Sequence, residues 1–282
     1  MSPQRDGQSG PSVTGRVLAI LSAFGPGAEA LSLSGIARAA GLPLSTAHRL
    51  VGELAAWGAL ERGEDGCYRV GLRLWEVGAL APRSLGLRER AMPYLEDLYE
   101  ATRQNVQLAV RDGHEVVYVE RLAHPDAVRV FSRVGGRMPL HATGVGQVLL
   151  AFAHATVQES VLAGPLNALT PRTITDPHDL RRALAGVRRE GVAVCDGMVD
   201  LLSLSVAAPI RGEDDRVVAA ISVVVPSAGS DPRAIVPAVR ATARGISRAL
   251  GSPSARRRPA GVVTPLPTGT APDAPRTTER GA

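Results

Sequence analysis

The chain has no lysine, so all 32 of its basic residues are arginines. Together with 30 glycines and 21 prolines, this bias indicates a GC-rich genome rather than a particular function. The two cysteines, Cys67 and Cys195, lie far apart in the sequence, which favours a reducing cytoplasm over a disulfide framework. No apolar run approaches the roughly 18 residues of a membrane helix, and the polar N-terminus, MSPQRDGQSG, lacks the apolar core of a signal peptide. We therefore expect a cytoplasmic protein without a membrane partner.

Catalytic signatures are also missing from the sequence. It contains no Gly-x-Ser-x-Gly nucleophile turn, no phosphate-binding loop and no Gly-x-Gly-x-x-Gly dinucleotide fingerprint. Residues 114–118, HEVVY, begin like a zinc-protease motif, but they end in Tyr118 and lie on a predicted strand. The six histidines show no metal-ligand spacing with either cysteine. The sequence therefore predicts no catalytic residue, no metal and no cofactor.

The net charge of +5 is distributed unevenly along the chain. Residues 252–282 carry five arginines against two acids, whereas residues 13–82 carry six of each and are neutral. Nucleic-acid-binding modules usually have a basic surface, so total charge gives no support to DNA binding by residues 13–82. The placement of individual side chains has to decide the question.

Residues 33–57, LSGIARAAGLPLSTAHRLVGELAAW, predict two short helices joined by a tight turn. Ser34 is the predicted N-cap of the first helix, Gly41 ends it, and Pro43 opens the second because its fixed φ suits a first helical turn. One face of the second helix is apolar at helical spacing, with Ala47, Leu50, Val51 and Leu54. Its other face presents Ser45, Thr46, His48 and Arg49 near the N-terminus, where a recognition helix reads the major groove. An ordinary helical hairpin in an all-α core explains this pattern equally well.

The residues around this pair of helices favour DNA binding. Residues 13–24 predict a first helix that packs on the pair. After Trp57, the turn signal at residues 64–66 lies between two short strand patterns, and residues 67–70 form the returning strand. A helical pair followed directly by a two-stranded hairpin is typical of a winged helix-turn-helix.

The remainder of the chain predicts a second domain of the α+β class around an antiparallel sheet. A short helix over residues 72–80 precedes a connector helix over residues 85–103, which Pro93 should kink or restart. Predicted strands cover residues 106–110, 116–120, 127–131, 192–195, 203–210 and 217–225. Predicted helices cover residues 143–152, 179–190 and 233–250. The expected organisation is a disordered leader (1–12), a winged helix-turn-helix domain (13–82), a linker helix with an effector-binding domain (83–251) and a disordered tail (252–282).

Two stretches of the second domain have the composition of a ligand site. Thr143 can cap a helix whose first turn contains Gly144 and Gly146, leaving backbone N–H groups open to an anion such as a carboxylate. The alternative is that these glycines only allow the helix to pack tightly on the sheet. On the strand over residues 203–210, Ser203, Ser205 and Ala207 share one face. Together with Ser222 on a neighbouring strand, these hydroxyls either line a polar pocket or face solvent.

These segments together resemble the IclR family of bacterial transcriptional regulators over residues 13–250. The motifs that carry the resemblance are GLPLSTAHRLVGELAAWGALER, PLHATGVGQVLLAF, VRREGVAVCDG and SVAAPIRGEDDRVVAAISVVVP. The resemblance implies an N-terminal winged helix that binds double-stranded operator DNA and a C-terminal, GAF/profilin-like α/β domain that binds a small-molecule effector. It also implies a homodimer or a dimer of dimers, which would meet pseudo-palindromic half-sites.

The resemblance also implies roles for individual residues. Ser45, Thr46, His48 and Arg49 would face DNA. Relatives often have a basic residue where Leu44 stands, and Arg69 in the wing would supply the phosphate contact that Leu44 cannot make. The backbone of Gly144, Val145 and Gly146 matches the cradle for an effector carboxylate. Further effector positions are matched by Cys195 or Asp196, Ser205 and Ser222.

Four residues depart from the family pattern. Met198 stands in place of a usual Glu, Leu202 in place of Gly and Gln147 in place of Lys, and Val224 occupies a position where some members have Ser. The pocket should therefore be less polar than in members that sense small keto acids, and we expect an effector with a larger apolar part.

The sequence favours a repressor modulated by an effector, with an activator as the first alternative. A less favoured possibility is a serine hydrolase that uses Ser205 with His141 and Asp196. A third is a DNA-binding protein whose second domain only oligomerises.

Overall fold

The computed structural model describes residues 12–25, 27–80 and 85–256 of the chain. Most of the predicted leader, the predicted domain boundary at Pro82 and the predicted tail beyond Arg256 lie outside these residues. The chain forms two compact units, Met1–Glu89 and Arg90–Ala282, and the division falls inside the helix predicted as the connector. No helix in the described ranges combines the length and the apolar character that crossing a membrane requires.

The N-terminal unit is a winged helix-turn-helix, as the sequence predicts. Its elements are α1 (Val13–Ser22), α2 (Leu33–Ala39), α3 (Leu44–Trp57), β1 (Leu60–Arg62), β2 (Tyr68–Val70) and α4 (Leu72–Ala79). The strands pair antiparallel, with Glu61 opposite Arg69. A small apolar core of Ile20, Ile36, Leu50, Val51 and Leu60 joins the three helices to the hairpin. The periodic apolar residues of α3 therefore face this core, which leaves the polar face of the helix outward.

The starts of α2 and α3 differ by one or two residues from the prediction. The N-cap of α2 is Ser32, whose hydroxyl accepts a hydrogen bond from the Gly35 N–H at 3.1 Å, and Ser34 lies inside the first turn. A helix that begins at Leu33 places Leu33 and Ile36 on the core together, which explains the earlier start. Pro43 is the N-cap of α3 rather than its first helical residue.

The C-terminal unit is an α+β domain built on an antiparallel sheet, which confirms the predicted fold class. After α5 (Leu85–Thr102), its strands are β3 (Asn105–Asp112), β4 (Glu115–Leu122), β5 (Arg137–Pro139), β6 (Ala193–Asp196), β7 (Ser203–Arg211) and β8 (Val217–Pro226). Its further helices are α6 (Gly144–Ala151), α7 (Ala155–Ala163), α8 (Pro177–Glu190), α9 (Pro232–Ala249) and α10 (Pro253–Arg256). The strand order is β5-β4-β3-β8-β7-β6. The helices α6 and α8 pack over one face of the sheet and α9 over the other.

The register of the sheet places one row of side chains beneath the start of α6. Val224 of β8 lies between Asn105 of β3 and Ser205 of β7, and Ser205 in turn lies opposite Cys195 of β6. Because directly opposed residues share a face, these side chains project to the same side. A Cβ added to Gly144 would lie 2.7 Å from the Ser205 hydroxyl, so α6 begins directly above this row.

The strand predicted over residues 127–131 is wrong. That segment belongs to an irregular loop, and β5 lies further along the chain, where Met138 pairs with Val116. The loop is held by side chains instead of a strand ladder. The Asn105 amide donates to the Val128 carbonyl at 2.7 Å, and the Gln107 amide donates to the Ser132 hydroxyl at 2.7 Å.

Two further expectations need correction. The connector α5 runs without interruption through Pro93, so the helix does not restart there, and the alternative of a kink at Pro93 stays a prediction. Residues 252–256 are part of the fold rather than of a disordered tail, because Ser252 is buried and its hydroxyl donates to the Asp215 carboxylate at 2.5 Å. The short helix α10 follows directly.

Candidate DNA-binding surface and effector cavity

The polar face of α3 is accessible, as a recognition helix requires. Ser45, His48 and Arg49 are exposed and Thr46 is half-buried, while Ala47 on the opposite face is buried. The structure thus brings the four predicted recognition residues onto one outward face near the start of the helix. That start is also open, because Pro43 supplies no side-chain cap to the first N–H groups. Uncapped N–H groups at a helix N-terminus are donors for a phosphate.

Two features of α3 bear on its suitability as a recognition helix. Arg49 forms an ion pair with Glu53 one turn later, with 2.6 Å between Nη1 and Oε1, so its guanidinium is already bound to a carboxylate. Leu44, at the first helical position, is 56% exposed and offers an apolar contact where a basic residue would bind phosphate. A thymine methyl group is one DNA feature that such a side chain can contact.

In the wing, Arg69 is hydrogen-bonded to the carboxylate of Asp65. Its guanidinium donates to both carboxylate oxygens of Asp65, at 3.1 and 2.7 Å, and Asp65 also accepts the Cys67 N–H at 3.0 Å. The hydrogen bond to Arg69 lowers the pKa of Asp65, and the same contact raises the pKa of Arg69. Arg62, which sequence reasoning did not consider, lies on the opposite strand with its guanidinium 5.8 Å from the centre of the Tyr68 ring.

A cavity of about 510 Å³, counted out to its open mouth, lies at the N-terminus of α6. Four of the predicted effector residues line it, namely Gly144, Val145, Cys195 and Ser205. The remaining three, Gly146, Asp196 and Ser222, do not.

The two glycines at the start of α6 have different roles. The N–H of Gly146 donates to the Thr143 hydroxyl at 3.0 Å, and an added Cβ would lie 2.4 Å from the Leu140 carbonyl oxygen. Gly146 therefore serves close packing. The N–H groups of Gly144 and Val145 have no acceptor within the described part of the chain, and both residues line the cavity. With the helix dipole behind them, these two N–H groups are suited to a carboxylate.

Asp196 and Ser222 lie where they cannot line the cavity. Asp196 is opposite Leu204 on the other face of the sheet, and its carboxylate binds Arg172 at 2.8 Å. Ser222 is completely buried and donates to the Gln107 amide oxygen at 3.2 Å. Gln107 itself lines the cavity, so Ser222 orients a lining residue.

Two of the four residues that depart from the family pattern add apolar surface to the cavity. Met198 and Val224 line it together with Tyr118 and Met138. Gln147 is buried beside them, with its amide nitrogen 3.4 Å from the Met198 sulfur. Leu202, by contrast, is exposed and does not line the cavity.

Burial raises the pKa of two groups that line the cavity. It raises the pKa of the Cys195 thiol to about 12 and that of the Tyr118 hydroxyl to about 12. Both groups are therefore uncharged near pH 7. The charged lining residues are Arg129, on the loop before β5, and Asp200.

Sequence reasoning missed several lining residues for an identifiable reason. Arg129, Phe131 and Ser132 lie on the loop that the alternating apolar pattern of residues 127–131 misassigned as a strand. Gln107 was overlooked because an apolar strand pattern surrounds it. A polar residue inside such a strand is a signal that could have identified it.

The residues of the hydrolase alternative do not converge. His141 Nε2 lies 3.0 Å from the Asn167 carbonyl oxygen, and Asp196 lies on the face of the sheet opposite Ser205. Among the described residues no group of three or more metal-ligating side chains is present.

Comparison with known proteins identifies relatives over both units. The profile for the bacterial transcriptional regulator IclR C-terminal domain matches residues 80–248, and that for the IclR helix-turn-helix domain matches residues 13–64. Among curated relatives, the chain is 32% identical to the HTH-type transcriptional regulator XynR of Escherichia coli K12, covering 85% of this chain and 97% of XynR. It is 33% identical to the HTH-type transcriptional repressor AllR of the same strain, covering 86% and 92%.

Among solved structures, an IclR homologue from Microbacterium hydrocarbonoxydans complexed with 4-hydroxybenzoate is similar over its whole length. It shares 41% identity and a TM-score of 0.81, with coverage of 85% of this chain and 99% of that one. The crystal structure of Thermotoga maritima IclR is 27% identical with a TM-score of 0.68, covering 85% and 97%.

Proposed function

This chain belongs to the IclR family of bacterial DNA-binding transcriptional regulators, and we propose that it represses its target genes until an aromatic monocarboxylate fills the effector cavity. The observation that carries the choice of effector is the pair of open N–H groups at Gly144 and Val145, two residues that line a cavity whose wall also includes the apolar Met138, Met198 and Val224. The related Microbacterium protein was crystallised with such an acid, 4-hydroxybenzoate. Repression is supported by the similarity to the repressor AllR.

In this proposal each end of the acid meets a different part of the cavity. The carboxylate accepts hydrogen bonds from the two N–H groups at the positive end of α6. The ring lies against Met198 and Val224, which cannot bind the polar groups of a small keto acid. Cys195 and Ser205 form the floor on the sheet.

The test is direct binding of matched ligands to the full chain. We expect 4-hydroxybenzoate to raise the melting temperature and to bind saturably in calorimetry. The neutral 4-hydroxybenzyl alcohol should bind at least tenfold more weakly, because it lacks the charge that α6 stabilises, and pyruvate should have little effect. Stabilisation by pyruvate without stabilisation by aromatic or aliphatic acids would contradict the proposal.

We further propose that Ser45, Thr46, His48 and Arg49 contact bases and that Arg69 contacts a phosphate. The uncapped start of α3 and its exposed polar face support these assignments. DNA fragments selected from a random pool by the wild-type protein provide an operator without knowledge of the natural one. Adding 4-hydroxybenzoate should then release the protein from the selected DNA. If no ligand that binds the protein changes its affinity for DNA, the result would instead favour a second domain that only oligomerises.

Self-association is part of the proposal, because a pseudo-palindromic operator requires two recognition helices. The N-terminal unit offers an apolar surface on α4, where Leu72 and the 67% exposed Trp75 lie three residues apart and so share a face. We propose a dimer, or a dimer of dimers, that acts in the cytoplasm. Light scattering should give a mass of two or four chains, and Trp75→Ser should lower it.

Catalysis is not part of the proposal, because His141 and Asp196 do not converge on Ser205, which lies on the regular strand β7. The relatives above are transcriptional regulators. Covalent labelling of Ser205 by a serine-directed phosphonate would revive the hydrolase alternative.

A further inference from the structure

A second cavity, of about 580 Å³ with its mouth, lies beside the edge of β7. The neighbouring strand β6 begins at Ala193, opposite Ala207, so β7 has no partner on that side from Ala208 onward among the described strands. The walls are this edge, the end of α8, one face of α9 and the short helix α10. Polar or charged side chains in the lining are Arg211, Arg240, Arg244, Ser247 and Ser254.

The exposed edge is closed to another strand. Pro209 has no N–H to offer, and the N–H of Arg211, which points to the same side, donates to the Ser247 hydroxyl at 2.9 Å. A peptide that adds to the sheet would find no donors there. The cavity is therefore suited to a small molecule rather than to an extended peptide.

The described lining of this cavity contains three arginines and no carboxylate. Arg240 and Arg244 lie four residues apart on α9 and so share a face. Arg240 donates to the Glu190 carbonyl at the end of α8, and Arg244 donates to the Ala255 carbonyl at 3.4 Å. Arg211 donates to the Asp215 carbonyl at 2.7 Å. A carbonyl acceptor carries no net charge, so these three hydrogen bonds do not themselves neutralise a guanidinium group.

Neighbouring acids have other partners. The carboxylate of Glu190 binds Arg189 at 2.8 Å, and that of Asp215 accepts hydrogen bonds from Ser252 and Ser254. One bond to a carbonyl uses only one of the five N–H donors of Arg240, so this guanidinium can bind a ligand while it caps α8.

We propose that this cavity binds a phosphate group, either as the free ion or at one end of a small metabolite, between Arg240 and Arg244. Guanidinium groups match phosphate oxygens with pairs of parallel hydrogen bonds, and the hydroxyl of Ser254 adds a neutral donor. The proposal is independent of the effector cavity, because no residue lines both.

The test uses calorimetry on the full chain at constant ionic strength, with inorganic phosphate and with glycerol phosphate as separate probes. We expect saturable binding of at least one probe, and the tighter of the two identifies the source of the phosphate group. Arg240→Gln should weaken binding at least tenfold. Arg248→Gln is the matched control, because it removes the same charge from an exposed position on α9 outside the cavity. It should change affinity by less than twofold.

Arg240→Gln also removes the hydrogen bond that caps α8. A second pair of variants, at Ser254, therefore tests the cavity without changing that cap. Ser254 is exposed, so Ser254→Asp should fold and repel phosphate, whereas Ser254→Asn should bind it nearly as wild type does. Arg240→Gln should bind 4-hydroxybenzoate with unchanged affinity, which separates this cavity from the effector site. Absence of saturable binding for both probes would overturn the proposal, as would equal weakening by Arg240→Gln and Arg248→Gln.

Discussion

At the scale of single residues, the proposed recognition face of α3 consists of a few polar side chains in a unit whose charges sum to zero over residues 13–82. Among these, Arg49 is the largest exposed donor on the predicted reading face of α3. We predict that Arg49→Ala strongly weakens operator binding and leaves the oligomeric state intact. A base contact contributes about 1–3 kcal/mol, and a symmetric dimer makes it twice, so the affinity of the variant should fall by roughly 30-fold or more.

Fluorescence anisotropy with the selected operator measures this decrease, and light scattering checks the assembly. Arg248→Ala removes the same charge from the other unit and should bind as wild type does. Wild-type affinity for Arg49→Ala would remove α3 from the role of recognition helix.

In the wing, we predict a substitution that raises the affinity for DNA. Arg69 is held by both oxygens of Asp65, so it must leave that carboxylate to contact a phosphate. We predict that Asp65→Asn strengthens DNA binding severalfold, since it removes a charge that both holds Arg69 and repels the backbone. Arg69→Ala should weaken binding uniformly across sequences and reduce the salt dependence by about one released ion per bound wing.

The double variant distinguishes the two effects of Asp65. If Arg69 is the phosphate contact, Asp65→Asn should give a smaller increase in affinity in the Arg69→Ala background. An equal increase in both backgrounds would mean that Asp65 acts only by repulsion. Titrations at three salt concentrations provide both affinity and slope.

At the scale of elements, the start of α6 separates packing from ligand binding. An alanine at position 146 would press on the Leu140 backbone, which cannot yield without moving the loop. We predict that Gly146→Ala lowers the free energy of unfolding by about 1–3 kcal/mol, as overpacking usually does. An alanine at position 144 meets the Ser205 hydroxyl, which can rotate away, and the Cβ atoms of Ser205 and Ala207 at 3.3 and 3.4 Å, which must shift slightly. Gly144→Ala should therefore cost less stability than Gly146→Ala but weaken 4-hydroxybenzoate binding at least tenfold.

Urea denaturation and calorimetry on the same two variants measure both quantities. Each variant is the control of the other, because the chemical change is identical. Loss of stability at position 144 with full binding, or the reverse at position 146, would contradict the assignment of roles.

The elements of the sheet and the helices were largely predictable because most of them are strongly periodic. The strands β7 and β8 and the helices α3, α8 and α9 were all recognised from apolar spacing. The segment over residues 127–131 failed for a physical reason. Its alternating valines imitate a strand, but its backbone is held by Asn105 and Gln107, which come from a distant part of the sequence. Such long-range hydrogen bonds leave no local pattern.

The candidate site was predictable in part for the same reason. Gly144 and Ser205 were predicted from the helix and the strand that hold them, whereas Cys195 or Asp196 came only from the family resemblance. Arg129 and Ser132 lie on the misassigned loop, so their contact with the cavity could not be derived from spacing. Of the pair Cys195 or Asp196, the structure places only Cys195 at the cavity, because neighbouring residues on a strand project to opposite faces.

At the scale of the whole molecule, the absence of lysine makes alkaline stability depend on few groups. Between pH 9 and 12 the side chains that titrate in the unfolded chain are two cysteines and four tyrosines. In the folded protein, burial raises the pKa of Cys195 from 9.0 to about 12 and that of Tyr118 from 10.0 to about 12. A folded protein that keeps these protons, while the unfolded chain releases them, becomes less stable as the pH rises.

We therefore predict that the titration of these two groups leaves the free energy of unfolding unchanged below pH 9. It should lower the free energy of unfolding progressively between pH 9 and 12. Each pKa unit corresponds to about 1.4 kcal/mol, so the decrease at pH 10.5 should be about 2–3 kcal/mol for both groups together. Urea titrations at pH 7.5 and 10.5 measure it. The alanine of Cys195→Ala and the phenylalanine of Tyr118→Phe cannot ionise, so each variant should show a smaller decrease of the free energy of unfolding with pH. The free energy of unfolding measured at pH 7.5 gives the packing cost of each substitution. An unchanged pH dependence in the double variant would show that alkaline unfolding begins elsewhere than at the effector cavity.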